Sequence, residues 1–278
     1  MDERTIANGC IVWKLGGSIL RGSRDYERCA DRLAVALQAD PTTRIVAVVS
    51  ARYGVTNRLL RQASRVAKDT ASPEVDLLLA TGELQSVAQL SMRLRRRGVN
   101  CVGLTPDEIG LRIDATSDHG FTVDPAFVQR RFDDHSVIVV PGFVGTRSGG
   151  GWGTLGRGGS DLTAVALAAA LGARQCELIK DVPGYFTSDP NVDASASHLS
   201  HVTYERALDM AAGGCDLVQT LALRHASQTG VDLILRRLDG DARRTTVSET
   251  ARTPATTDVS RSGESLYGAS VGLAAAAS

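Results

Sequence analysis

IVWKLGGS, residues 11–18, is a short apolar run that carries Lys14 near its end and breaks into a turn of Gly16, Gly17 and Ser18. Apolar residues then recur at helical spacing over 26–37, so the segment reads as strand, glycine turn and helix. Working outward, RIVAVVS at 44–50 is an unbroken β-branched run, the pattern of a parallel strand covered on both faces. Residues 100–104, 136–140, 176–179 and 231–236 repeat that pattern. Helical stretches separate them: one after Gly54 and Asn57, a long one over 75–98 closed by Gly98, one over 161–171 closed by Gly172, one over 204–212, and the segment 217–228. Residues 113–123 alternate around Asp118-His119-Gly120 and read as a surface hairpin, while the glycine-saturated 149–159 reads as a second turn feeding a helix. Strands alternating with helices predict an α/β fold with a mainly parallel central sheet and helices on both faces.

Composition narrows the function. The 278 residues are 43% hydrophobic and 22% charged with zero formal net charge, an ordinary globular balance that lacks the positive field of a nucleic-acid binder. The dense basic cluster Arg93, Arg95, Arg96 and Arg97 reads as the solvated end of a helix, where cations complement the dipole. Five scattered cysteines show no CxxC or Cys/His spacing, and the histidines His119, His135, His198, His201 and His225 show no metal spacing. Reduced thiols, no signal-peptide pattern and no apolar run near the ~20 residues of a membrane span predict a cytoplasmic protein without a membrane partner. From about residue 250 the composition turns to Thr, Ser, Ala and Gly, so 251–278 is expected to be a flexible tail.

Lys14, Lys68 and Lys180 are the lysines of a chain whose other basic side chains are arginine. Lys14 stands at a strand end beside free backbone N–H groups, where a compact ammonium suits a phosphate oxygen. The lysine precedes the glycines, so the loop is no Walker A motif. Gly156-Arg157-Gly158-Gly159-Ser160-Asp161 is the second anion-binding turn, with an arginine and a carboxylate at a helix start. Two such turns serve a phosphate donor and a charged acceptor.

WKLGGSIL at 13–20, VVSARYGVTNRLL at 48–60, TGELQS at 81–86, VVPGFVGTRSGGGWGTLGRGGSD at 139–161 and DVPGYFTSDP at 181–190 resemble, in order and spacing, the catalytic domain of aspartokinases in the amino-acid kinase superfamily. The resemblance runs from residue 10 to about 248. It implies a three-layer αβα sandwich over 1–250, with an acceptor-binding lobe over about 1–145 and an ATP-binding lobe over about 146–250. It implies transfer of the γ-phosphoryl group of ATP to the side-chain carboxylate of aspartate, and a homodimer formed through the kinase domain. By resemblance, Lys14 neutralises the transferring group, Gly16, Gly17, Ser18, Gly158 and Gly159 cradle phosphate, and Asp161 holds Lys14. Arg157 grips a carboxylate of the acceptor, Glu83 takes its ammonium, and Ser50, Thr56 and Ser160 line its pocket. Lys180, Asp181, Tyr185, Ser188 and Asp189 surround the nucleotide. An acceptor carboxylate is already ionised at neutral pH, so no general base is needed, and magnesium is expected to ride on the ATP phosphates rather than in a protein cage.

The chain also departs from that pattern. Lys180 stands where many aspartokinases carry threonine, Asp216 where they offer lysine or glutamine, Val218-Gln219-Thr220 where they have Leu-His-Pro, and Asn191 where arginine is frequent. No βαββαβ pattern follows the catalytic domain, so the regulatory ACT domains and inhibition by lysine or threonine are expected to be missing. Two other readings stand beside aspartate phosphorylation: a kinase for a related small acid, whose pocket Arg52 and Tyr53 would reshape, and a catalytically weak nucleotide-binding regulator, suggested by Asp216 and Asn191.

Overall fold

The β-branched runs become the strands of one large sheet. The computed structural model describes residues 10–67, 72–114, 116, 120–156 and 158–250. The expected tail 251–278, Arg157, Lys68, and Asp118 and His119 of the expected hairpin lie outside the described residues.

In chain order the first half contains β1 (Cys10–Leu15), α1 (Ser23–Ala39), β2 (Arg44–Val49), α2 (Val55–Ala63), α3 (Pro73–Arg96), β3 (Cys101–Gly103), β4 (Leu111–Ile113), β5 (Phe121–Val123), the short α4 (Ala126–Gln129) and β6 (Val137–Pro141). The second half contains β7 (Val144–Arg147), β8 (Trp152–Thr154), α5 (Gly159–Ala170), β9 (Gln175–Lys180), β10 (His201–Val202), α6 (Tyr204–Ala212), α7 (Thr220–Thr229), β11 (Asp232–Arg237) and β12 (Arg244–Val247). An eight-stranded sheet runs β10-β12-β11-β9-β1-β2-β6-β3. The pairings from β11 to β3 are parallel, and β12 turns back antiparallel to β11.

Side-chain alternation divides this sheet between two apolar layers. Val12, Val46, Val48, Ile138, Val140, Leu178 and Leu233 pack into the layer that contains α5 and α7. Trp13, Leu15, Ile45, Ala47, Val49, Val139 and Ile179 pack into the opposite layer, with Leu33 of α1 and Leu90 of α3. Burying both faces is what the unbroken apolar runs require. The result is the three-layer α/β arrangement expected from the sequence, and among the described residues no helix is long and apolar enough to cross a membrane.

Other details depart from the sequence reading. The glycine-rich stretch 149–159 is more than a turn: it contains β8, which pairs antiparallel with β7 just before it, and β4 joins β7 to β5 in a separate four-stranded sheet. The sheet does not end at 231–236, because β12 and the two-residue β10 extend its edge. Both were too short to show a period. The basic cluster at the end of α3 is tied down rather than simply solvated: Arg93, Arg96 and Arg97 reach Glu27 of α1 at 3.0, 3.5 and 2.8 Å, and Arg97 reaches Asp31 at 2.7 Å.

The turn after β6 meets the start of α5 at Gly142, where an added Cβ would lie 2.7 Å from the Cβ and 2.9 Å from the Cα of Ser160. Gly142→Ala is therefore expected to destabilise the fold by about 1–3 kcal/mol, the usual range for overpacking. Thermal or urea denaturation checks this, and an unchanged midpoint contradicts the contact.

Candidate active site

The carboxyl ends of β1, β2, β6 and β9 open onto a cleft of about 790 Å³, the customary place for a ligand in a parallel α/β sheet. Strand parity fills it with charge. On β1, Lys14 shares its face with Val12, opposite Leu178 and Val48, and so points toward α5. On β9, Lys180 shares its face with Leu178 and points the same way. Asp161 projects from the first turn of α5 to meet them.

Lys14 Nζ lies 2.6 Å from Asp161 Oδ1, and Lys180 Nζ lies 3.1 Å from Oδ2. Asp161 is only 3% exposed, and both lysines are buried. Burial pushes the Asp161 carboxyl up, but the Lys14 and Lys180 ammonium groups outweigh it and hold the group well below the usual carboxylate range. Burial draws the Lys180 ammonium down to about 8 against the pull of Asp161, with Lys14 adding repulsion. With all three ionised, the cluster carries a surplus positive charge facing the cleft.

Gly16, Gly17 and Ser18 line the cleft below Lys14, and Gly158, Gly159 and Ser160 line it beside Asp161. Gly158 caps α5 with φ +78°, a left-handed conformation that a side chain would strain. The side chain of Gln219 lies directly against it, with Cγ only 1.8 Å from where a Cβ would stand. Both glycine turns thus reach the same cavity, as do Ser50 and Thr56.

Glu83, in the middle of α3, is 2% exposed and lines this cleft. Its Oε1 accepts a hydrogen bond from the Ala51 N–H at 3.2 Å, and its Oε2 has no hydrogen-bond partner within the protein. Burial raises its carboxyl to about 7, opposed by the Ala51 N–H. An unsatisfied buried oxygen of this kind is a ready acceptor for a cationic ligand group.

Sequence reasoning missed several cleft residues. Asp76 on α3 accepts hydrogen bonds from Arg147 and, at 2.9 Å, from Thr154, and all three line the cleft. Phe143 lines it with φ +71°, the one described non-glycine residue with positive φ, and its N–H donates to Thr163 Oγ1 at 3.1 Å. Nothing in the sequence announces a phenylalanine in that conformation. Asp76, by contrast, sits seven residues before Glu83, two turns away on the same helical face, a spacing that could have revealed it.

The nucleotide set predicted from sequence scatters. Lys180 lines the main cleft, but its ammonium is engaged by Asp161. Asp181 is exposed, lines a separate cleft of about 230 Å³, and meets Arg21 at 3.6 Å. Tyr185 is 1% exposed and belongs to the apolar core, where burial pushes its phenol up. Chain alternation turns Phe186 outward instead, edge-on to His198. Ser188 and Asp189 lie on an exposed loop that they brace themselves, Ser188 donating to Asp193 at 2.5 Å and Asp189 accepting from the Asn191 N–H at 2.9 Å. Asp216 and Gln219 do line the main cleft.

Glu83 also yields a stability prediction. Its carboxyl titrates higher in the fold than in the unfolded chain, so ionising the unfolded state costs the native state stability as pH rises from about 4.5 to about 7. Glu83→Gln removes that loss. The variant is expected to gain stability over the wild type between about pH 5 and about pH 8 in denaturant titrations; parallel pH curves contradict the buried carboxyl.

Known proteins share this fold and much of this sequence. The model of the amino acid kinase family matches residues 9–236. The aspartate kinase Ask_LysC of Stutzerimonas stutzeri is 38% identical over 225 residues, which are 80% of this chain and 54% of that protein. An aspartokinase of Thermus thermophilus is 38% identical over 228 residues, 81% of this chain and 56% of that one. The chain thus spans about half the length of these relatives. Among solved structures, an aspartate kinase from Synechocystis superposes with a TM-score of 0.77 at 32% identity, covering 86% of this chain and 40% of its own. Aspartokinase III of E. coli, in complex with aspartate and ADP, gives 0.72 at 25% identity, covering 87% of this chain and 65% of its own.

Proposed function

Because this chain belongs to the amino acid kinase family, we propose that it transfers the γ-phosphoryl group of ATP to the side-chain carboxylate of L-aspartate, giving 4-phospho-aspartate. The observation that carries this reading is the buried Lys14–Asp161–Lys180 cluster opening, with Glu83, into one cleft. Its relatives include aspartate kinases, and a solved neighbour holds aspartate and ADP.

Phosphoryl transfer rests on alignment and charge neutralisation more than on proton movement. Lys14 neutralises charge on the transferring group and Asp161 fixes the position of its ammonium. The N–H groups around Gly16, Gly17, Gly158 and Gly159 cradle phosphate oxygens at the two turns. Glu83 receives the α-ammonium of the acceptor, whose positive charge draws the proton off its buried carboxyl. Arg157 takes a carboxylate of the acceptor, and Ser50, Thr56 and Ser160 line its pocket. The acceptor lies toward the half over 1–145 and ATP toward the half over 146–250. Asp181, Ser188 and Asp189 remain candidates for the outer rim of the nucleotide site, and Tyr185 supports it only from the core. Magnesium would arrive on the ATP phosphates with several waters retained, as its reluctance to dehydrate favours.

A second reading keeps the chemistry and changes the acceptor. Arg52, Tyr53 and Arg147 all line the cleft, and they would suit an aspartate-like acid with additional polar groups.

The test is an assay with ATP, magnesium, hydroxylamine and a panel of amino acids, in which hydroxamate traps the acyl phosphate. Product with aspartate is the expected result. Product with analogues alone supports the second reading, and no product with any acid contradicts the transfer. Lys14→Ala is expected to lower turnover by about 10²-fold or more, as removal of a preorganised charge partner does.

A further inference from the structure

The hairpin of β7 and β8 belongs to the small four-stranded sheet, so the register of the large sheet does not dictate where it lies over the cleft. Among the described residues, the side-chain hydrogen bonds that join it to α3 converge on one carboxylate. Asp76 Oδ2 accepts from Nη2 of Arg147 on β7, and Oδ1 accepts from the Thr154 hydroxyl on β8 at 2.9 Å. The guanidinium reaches across the hairpin to do so: its Nε donates to the Trp152 carbonyl at 3.1 Å, and a Cβ on Gly153 would stand 2.8 Å from that nitrogen. Glycine at 153 lets the arm cross. Asp76 is 6% exposed. A buried ion pair adds little net stability, and its best-attested use is to hold one arrangement against others.

The arrangement held here lies between two walls of the cleft. α3 carries Glu83 two turns beyond Asp76, about 10 Å along the helix axis. β8 runs from Thr154 through Leu155, whose N–H donates to the Phe143 carbonyl at 2.8 Å, into Gly156 and the second glycine turn. Glu83 on one side and Gly156, Gly158 and Ser160 on the other line the same cavity. Any drift of the hairpin away from α3 therefore widens the gap between that carboxylate and that turn.

Resting on the transfer reading above, we propose that Asp76 is a positioning residue that gauges acceptor length. By holding both strands of the hairpin it fixes the spacing between Glu83 and the second glycine turn, and so selects a four-carbon amino dicarboxylate over its five-carbon homologue. Asp76 is itself engaged by Arg147 and Thr154 and acts through that spacing. A pocket discriminates one methylene by roughly 10–200-fold, and it does so only when its two ends are kept at a fixed distance.

The test compares hydroxamate formation from aspartate and from glutamate by the wild type and by variants at the tie. Asp76→Asn is expected to raise KM for aspartate by about 10-fold or more while KM for ATP stays within about twofold. The aspartate-to-glutamate ratio of kcat/KM is expected to fall by about 10-fold in the same variant. Thr154→Val, which removes one hydroxyl, should move both quantities the same way by less, and Arg147→Lys, which keeps the charge, should stay nearer the wild type than Arg147→Met. These three variants decide the matter if Asp76→Asn does not fold. A tie that serves stability alone would lower the unfolding midpoint and leave the ratio of the two acids and the split between the two KM values in place. That outcome, or a wild type that prefers glutamate, overturns the gauge and leaves phosphoryl transfer standing. A wild type that makes hydroxamate with neither acid overturns the transfer reading, and the gauge with it.

Discussion

A carboxylate that is 3% exposed can stay charged only if cations are held against it, and Asp161 keeps two. Desolvating any one of these three groups is expensive, and breaking such a pair by removing one partner typically costs about 3–5 kcal/mol. The interaction therefore constrains everything that carries it. The registers of β1 and β9, the start of α5 and the close approach of Gly142 to Ser160 must all agree for the charges to meet. A slip of β1 by one residue would turn Trp13 toward α5 and Lys14 into the opposite apolar layer. The buried sheet faces on either side make that slip prohibitive.

The same constraint links the core to chemistry. Uninterrupted apolar strands are buried on both faces, so their polar groups collect at the carboxyl edge, where the helices begin and the backbone is free to turn. The cleft there gathers positive charge from Lys14, Lys180, Arg52 and Arg147 and negative charge from Asp76, Glu83, Asp161 and Asp216. Asp76 is occupied by Arg147 and Asp161 by the lysines, whereas Glu83 keeps one oxygen without a partner. A site of that kind is complementary to anionic oxygens beside the lysines and to a cationic group beside Glu83.

Much of this was legible in the sequence. Lys14 stood out because lysine is rare against so many arginines, and the two glycine turns marked where strands feed helices. What escaped were features that depend on neighbours. The partnership of Lys180 with Asp161 crosses from β9 to α5, although its shared parity with Leu178 points the right way. The resemblance places Tyr185 by the nucleotide, and alternation buries its side chain while turning Phe186 outward. The hairpin of β7 and β8 is too short and too rich in glycine to show a period of two, and the positive φ of Phe143 leaves no mark in composition. Local pattern specified the framework, while charge pairing and backbone strain at the cleft were set by tertiary contact.

The most direct measurement is a double-mutant cycle on kcat/KM for phosphoryl transfer with Lys14→Met, Asp161→Asn and the combined variant. If Asp161 acts by holding Lys14 at the transferring group, the two losses overlap and the double variant is scarcely slower than the slower single one. Losses that multiply independently would mean that the ammonium and the carboxylate do separate work, and the buried cluster would not be the centre of the reaction.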